Sequence, residues 1–155
     1  MTAKCNLIID SCCDLPLEMV QREGVYLVEF PFLFDTEQHL DDFGVSMPAK
    51  EFYDRMRKGN FPTTSQISIP AYTEVFERAA QSGIPTVYLS FSSALSGSYN
   101  VSLLVRDQLQ EKYPEMQLRI VDTKLASVAE GALVYEALRQ RDAGLTAEEL
   151  VEWAE

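Results

Sequence analysis

The chain has 155 residues, a length that favours one compact domain. Its 46% hydrophobic and 24% charged residues are ordinary globular values, and seven Gly with seven Pro lie far below low-complexity levels, which excludes disordered and collagen-like chains. Thirteen basic against 24 acidic residues give a net charge of −11, a field that repels phosphodiester backbones and anionic headgroups and argues against a nucleic-acid partner.

Cys5, Cys12 and Cys13 are odd in number, and two are adjacent, so they do not form a secreted disulfide framework. The N-terminus has one basic residue and a short apolar stretch broken by Asp10, which is not the pattern of a signal peptide. No apolar window is long enough to span a bilayer. The expectation is a soluble, cytoplasmic protein.

In chain order, Asn6 to Ile9 reads as a buried strand closed by Asp10-Ser11, and Leu15 to Gln21 as a brief helix. Val25 to Phe34 is β-rich with Pro31 inside it, which predicts an edge strand or a bend, and Asp35-Thr36-Glu37 a turn. Ser46 before Pro48 opens a helix showing Phe52 and Met56 and ending at Gly59. After the loop Asn60 to Ser68, Ser68 caps a helix with Tyr72, Val75, Phe76 and Ala79 on its inner face. Thr86 to Phe91 is a strand that runs into Ser92 to Ser98; the helix after it is expected to bury Val101, Leu104, Val105 and Leu109. A strand at Gln117 to Val121 leads to a helix expected to bury Val128, Ala132, Tyr135 and Leu138, closed by Gly144. Thr146 to Glu149 is a capping box for a last, short helix. Strands alternating with helices predict an α/β fold with a mainly parallel sheet flanked by helices. The last helix has fewer residues than a self-supporting one needs, so the chain reads as interrupted at Glu155.

Ligands in open α/β sheets bind beyond the carboxyl ends of the strands. Two strands end there in serine-bearing loops, one holding Ser11 and the other Ser92, Ser93, Ser96 and Gly97. The amides of Gly97 and Ser98 with the neighbouring hydroxyls would form a pocket for an anionic oxygen. Thr63, Thr64 and Ser65 form a third hydroxyl cluster, between helices with no strand to terminate. Taken singly, such residues are ordinary turn and cap formers; three clusters together suggest a hydrogen-bonding cradle. Phosphate-binding glycine loops and a G-x-S-x-G elbow are absent. His39, the sole histidine, sits beside Asp41 and Asp42 and reads as solvated surface, leaving Ser93 or Ser96 without a base for hydrolase or transferase chemistry. Cys12 and Cys13 read as small, half-buried fillers, the cysteines lack zinc-site spacing, and the acidic pairs Asp41-Asp42 and Glu148-Glu149 read as solvated charge. No metal and no cofactor is expected.

The segments Ile8 to Pro16, Thr64-Ser65-Gln66, Ser92 to Tyr99 and Val121-Asp122-Thr123, in that order and with Glu51-Phe52-Tyr53 before the second, resemble the DegV family. The family commonly has Thr-Ala at Cys12-Cys13, Pro at Ile67 and Thr at Ser98. The resemblance implies a non-catalytic, FakB-like binder of a long-chain fatty acid, some members presenting it to a fatty acid kinase. It further implies that residues 1–155 are the N-terminal lipid head-group domain, with the C-terminal DegV domain absent. Thr64 and Ser93 would then hold the carboxylate at the mouth of an apolar tunnel, with Ser92, Ser65, Ser96, Gly97 and Ser11 shaping the surroundings. Such a fragment, missing one tunnel wall, is expected to self-associate. The alternative is a small acyl or phosphoryl hydrolase or transferase using Ser93 or Ser96 as nucleophile.

Overall fold

The computed structural model describes residues 3–155. Its strands are Asn6–Asp10 (β1), Val25–Val28 (β2), Pro31–Phe34 (β3), Glu37–Leu40 (β4), Thr63–Thr64 (β5), Thr86–Ser90 (β6) and Leu118–Asp122 (β7). Its α-helices are Leu17–Val20 (α1), Ala49–Arg57 (α2), Ile69–Gln81 (α3), Ser98–Lys112 (α4), Ser127–Asp142 (α5) and Ala147–Ala154 (α6).

The main sheet has the order β2-β1-β6-β7 and is parallel throughout. Strands β1 and β6 are buried along their whole length because helices cover both faces. Side chains alternate between those faces. Leu7, Ile9, Val87 and Leu89 pack with Val134 and Leu138 of α5 and Leu150 of α6, whereas Ile8 and Tyr88 pack with Tyr72 and Phe76 of α3 and Val105 of α4. This is the expected α/β architecture. The caps also form as their residues predict: Ser68 accepts the Ala71 N–H, and Thr146 with Glu149 closes a reciprocal capping box.

The Val25 to Phe34 run is two strands. β2 joins the edge of the main sheet, and at Pro31 the chain enters a second, antiparallel sheet of order β4-β3-β5. Thr63 and Thr64, expected in a strandless loop, pair with Leu33 and Phe32 in that sheet, because the β3–β4 hairpin offers them an open edge. The hairpin turns at Asp35 and Thr36 and rests on Phe32, Phe34 and Met47, with Phe52 and Met56 of α2 beside them. His39 is half-buried, not solvated: its ring stacks on Phe32 with centroids 5.2 Å apart.

In α4, Val101, Val105 and Leu109 face the core as expected and one expected residue does not, whereas α5 shows a different face. Leu104 of α4 is largely exposed. In α5, Val128 and Tyr135 face outward, while Glu130, Gly131, Val134, Ala137, Leu138 and Arg141 are buried. A stripe that includes a buried acid, a buried base and a glycine is invisible to apolar periodicity.

Candidate ligand-binding cavity

Strand β1 lies between β2 and β6, and the segments leaving β1 and β6 diverge to opposite faces of the sheet. Cys13 joins the α5 side and α4 the other. A crevice opens where such connections part. Here it is a cavity of about 850 Å³, within the usual range for small-molecule sites. The loop after β1 contributes Ser11, Cys12 and Asp14, the loop after β6 contributes Phe91, Leu95, Ser96 and Gly97, and β5 with the segment that follows it contributes Thr64, Ser65 and Gln66. Phe30, Phe32, Phe43, Met47 and Phe52 make an apolar wall, a contribution that no sequence motif announced.

Asp10 organises the first loop. Its Oδ1 accepts the Cys12 N–H at 3.1 Å, capping the 3-10 turn Ser11–Cys13. Its Oδ2 accepts the Phe91 N–H at 2.8 Å and the Tyr88 hydroxyl at 3.1 Å, tying that loop to the one after β6. Burial raises its pKa to about 6 against these bonds. The Ser11 hydroxyl accepts the Phe30 N–H at 3.0 Å; the pKa of Asp41 is raised chiefly by burial.

Donors in the second loop are mostly committed internally. Ser92 Oγ accepts the Ala94 N–H at 3.3 Å, and the Ser92 carbonyl accepts Leu95 and Ser96 N–H at 3.1 and 3.2 Å. The Ser93 hydroxyl donates to Asp122 at 2.6 Å and its N–H to the same carboxylate at 3.0 Å. Those bonds outweigh burial and hold the Asp122 pKa below the usual range. Ser96 donates to the Ser98 hydroxyl at 2.9 Å and accepts the Ser98 N–H at 3.1 Å. The Ser98 amide is therefore taken, and the expected anion pocket at the start of α4 loses that donor. A Cβ at Gly97 would meet Gln66 Oε1, the tip of a flexible side chain, so Gln66 would have to turn aside to admit one.

Of the expected site residues, Thr64, Ser65, Ser96, Gly97 and Ser11 share the cavity, and Ser92 and Ser93 lie outside its lining. Asp41 and Asp42, read from sequence as solvated charge, line it as well and are half-buried; with Asp14 they make the polar rim acidic. Among the described residues the lining has no Lys, Arg or His. Cys12 lines it with a thiol whose pKa is driven upward, first by burial and then by the Asp10 charge, and burial pushes the Cys13 thiol up to about 12. Neither is an activated nucleophile.

The sequence matches the family profile described as "Uncharacterised protein, DegV family" over residues 4–155. The chain belongs to the DegV family. A DegV domain-containing protein of Clostridium perfringens is 38% identical over 96% of this chain and 51% of its own length. The DegV chain thus spans about half the length of the curated relatives it matches. Among solved structures it is similar to a stearic-acid-binding protein of Eubacterium ventriosum, at 29% identity and TM-score 0.86 over 99% of this chain and 52% of that one. It is likewise similar to a fatty-acid-binding DegV family protein of Thermus thermophilus, at 26% identity and TM-score 0.82 over 97% and 52%.

Proposed function

We propose that this chain is the head-group half of a long-chain fatty-acid-binding protein, its cavity receiving the carboxyl end of the lipid. The observation that carries the reading is the cavity itself: the hydroxyl residues Thr64, Ser65 and Ser96 and a run of phenylalanines line the same space. That pairing suits an amphiphile, with burial of each methylene worth about 0.8 kcal/mol and the hydroxyls fixing orientation. Binding of this kind needs no acid, base or metal. The likeness to a protein described as binding stearic acid supports the same ligand class.

In this reading Thr64 is the principal head-group donor, with Ser65, Ser96, Gly97 and Ser11 around it. Ser93 and Ser92 support the loop from behind, because the Ser93 proton is held by Asp122. The same geometry disfavours a hydrolase: Ser93 meets a carboxylate directly with no imidazole between them, and His39 is stacked on Phe32. A second half, of the length the relatives carry, supplies the opposite tunnel wall, and presentation of the bound lipid to a fatty acid kinase is the role the family resemblance adds.

Organic extraction of the purified chain, followed by mass spectrometry, tests the ligand class. A stoichiometric long-chain fatty acid is the expected result; a different, reproducibly bound metabolite overturns the reading. Calorimetric titration then compares the chain with one extended by the second half. Affinity is expected to rise by orders of magnitude on extension, and equal affinity would show that this half encloses the ligand alone.

A further inference from the structure

Part of the cavity wall is carried by a segment that the fold holds loosely. Residues 47–62, which include α2, contribute Met47, Ala49, Phe52 and Tyr53 to the lining. Met47 is the only buried residue among them. Before them the chain is fixed, since Phe43 packs on the main core and the Asp42 carboxylate accepts the Val45 and Ser46 N–H groups at 2.9 Å. After them it is fixed again where Thr63 and Thr64 pair with β3. In between, every backbone hydrogen bond among the described residues is internal to the segment, such as those from the Phe52 N–H to the Pro48 carbonyl at 3.1 Å and from the Asn60 N–H to the Arg55 carbonyl at 3.2 Å. Gly59 follows α2 with φ +91° and open space around it, a place where the chain can turn.

What holds α2 down belongs to one patch. Phe52 meets Phe32 and Phe34 edge-on, with centroids 5.5 and 5.2 Å apart, and Met47 and Met56 pack beside them in a cluster separate from the two cores of the main sheet. The one side-chain hydrogen bond from the segment to the rest of the described residues runs from Arg55 Nη1 to Glu37 Oε2 of β4, at 3.0 Å, and the same guanidinium lies over the Phe34 ring at 5.4 Å. A segment with so little buried apolar contact and no ladder bonds opens locally, at a fraction of the free energy of global unfolding. We propose that residues 47–62 are a hinged strap that swings off Phe32 and Phe34 to admit a chain-like ligand and closes over it, with Arg55 and Glu37 as the latch. This rests on the reading of the cavity as a fatty-ligand site and adds its entrance. Phe52 both seats the strap on the second sheet and lines the cavity, so an acyl chain lying against it favours closure.

The test mixes the 155-residue chain in stopped flow with two fluorescent probes of equal chain length, cis-parinaric acid and the uncharged alcohol made from it. In wild type the observed association rate is expected to rise with probe concentration and then level off at the opening rate of the strap. Glu37→Gln removes the latch outside the cavity lining and leaves the Arg55–Glu51 pair within α2 in place. It should raise the plateau by about 2–5-fold, the worth of a surface ion pair. The alcohol should show the same rise, which sets aside any direct effect of the Glu37 charge on an arriving anion. A rate that climbs in proportion to probe throughout, or a plateau unchanged in Glu37→Gln, overturns the proposal. Hydrogen exchange tests the strap without a ligand. A nine-residue helix off its platform does not hold itself, so the α2 amides should exchange well ahead of those in β1 and β6, and faster still in Glu37→Gln. If α2 exchanges only together with β1 and β6, the strap is overturned whatever binds. If α2 exchanges early while wild type binds neither probe, the fatty-ligand reading fails and takes the role of the strap as an entrance with it.

Discussion

Gly131 sits so close to Cys13 that a Cβ at position 131 would collide with the Cys13 carbonyl oxygen. This contact seats α5 directly against the turn Ser11–Cys13 and brings Glu130 behind Asp10. Gly→Ala within a helix ordinarily stabilises by up to about 1 kcal/mol. Here backbone is the obstacle and overpacking costs about 1–3 kcal/mol, so Gly131→Ala is expected to lower stability. Chemical denaturation of the two chains checks the sign, and a rise in midpoint would show that α5 can shift without cost.

Thr64 and Ser93 occupy different places, which separates the effects of removing their hydroxyls. Thr64→Val deletes a lining donor and should weaken fatty-acid binding by about 1–3 kcal/mol. Ser93→Ala removes the partner of Asp122 outside the lining and should change affinity by less than half as much, at some cost in stability. Calorimetry on both variants decides; a larger binding loss in Ser93→Ala would return Ser93 to the head group.

The carboxyl pair predicts a particular pH dependence. Neither Glu130 oxygen reaches a donor, so its hydrogen bond with Asp10 needs a proton shared between the two. Burial, then the Asp10 charge, raise Glu130 from 4.5 to about 10, with Asp14 adding to the rise. Between those values the folded chain holds a proton that the unfolded chain lacks, so stability falls as pH rises, by up to about 1.4 kcal/mol per unit. Burial of Asp10, raised from 3.8 to about 6, adds a like loss across its own lower window. Glu130→Gln keeps the shape without the ionisation. Thermal unfolding from pH 5 to 9 should fall more steeply for wild type than for the variant, and parallel curves would remove Glu130 from the account.

Cys12 and Cys13 are free thiols with raised pKa values. Replacing them by Thr and Ala should leave ligand affinity within about twofold, since burial keeps both thiols protonated and unreactive and Cys12, the one in the cavity lining, gives way to a side chain of similar size. In the native chain at pH 8 both should react with a thiol reagent far more slowly than in denaturant, and a fast-reacting thiol in the native state would contradict their role as packing groups.

Much of this architecture was legible in the residues. The fully apolar run Leu7 to Ile9, the cap at Ser68 and the box at Thr146 to Glu149 are local signals that tertiary structure left intact. What was hidden depended on contacts distant in sequence. Thr63 and Thr64 become a strand only because Leu33 and Phe32 offer an edge, and α5 buries Glu130 and Arg141 only because Asp10 and the carbonyls of Cys5 and Glu23 receive them. Of the hydroxyl-loop residues expected to bind a ligand, Thr64, Ser65, Ser96, Gly97 and Ser11 come together in one cavity lining. The diversion of Ser93 to Asp122 lay 29 residues away, beyond any local pattern.

The acidic rim bears on the speed of binding as well as its strength. A fatty-acid anion arriving from solution meets Asp14, Asp41 and Asp42 at the entrance of a molecule with net charge −11. Repulsion slows such encounters, and salt screens it over a Debye length of about 8 Å at physiological ionic strength. Stopped-flow association rates should therefore climb with added salt for a fatty acid and stay level for the uncharged alcohol. Capture of lipid by this chain is then governed by the ionic medium at the moment of encounter, while retention is left to the phenylalanine wall.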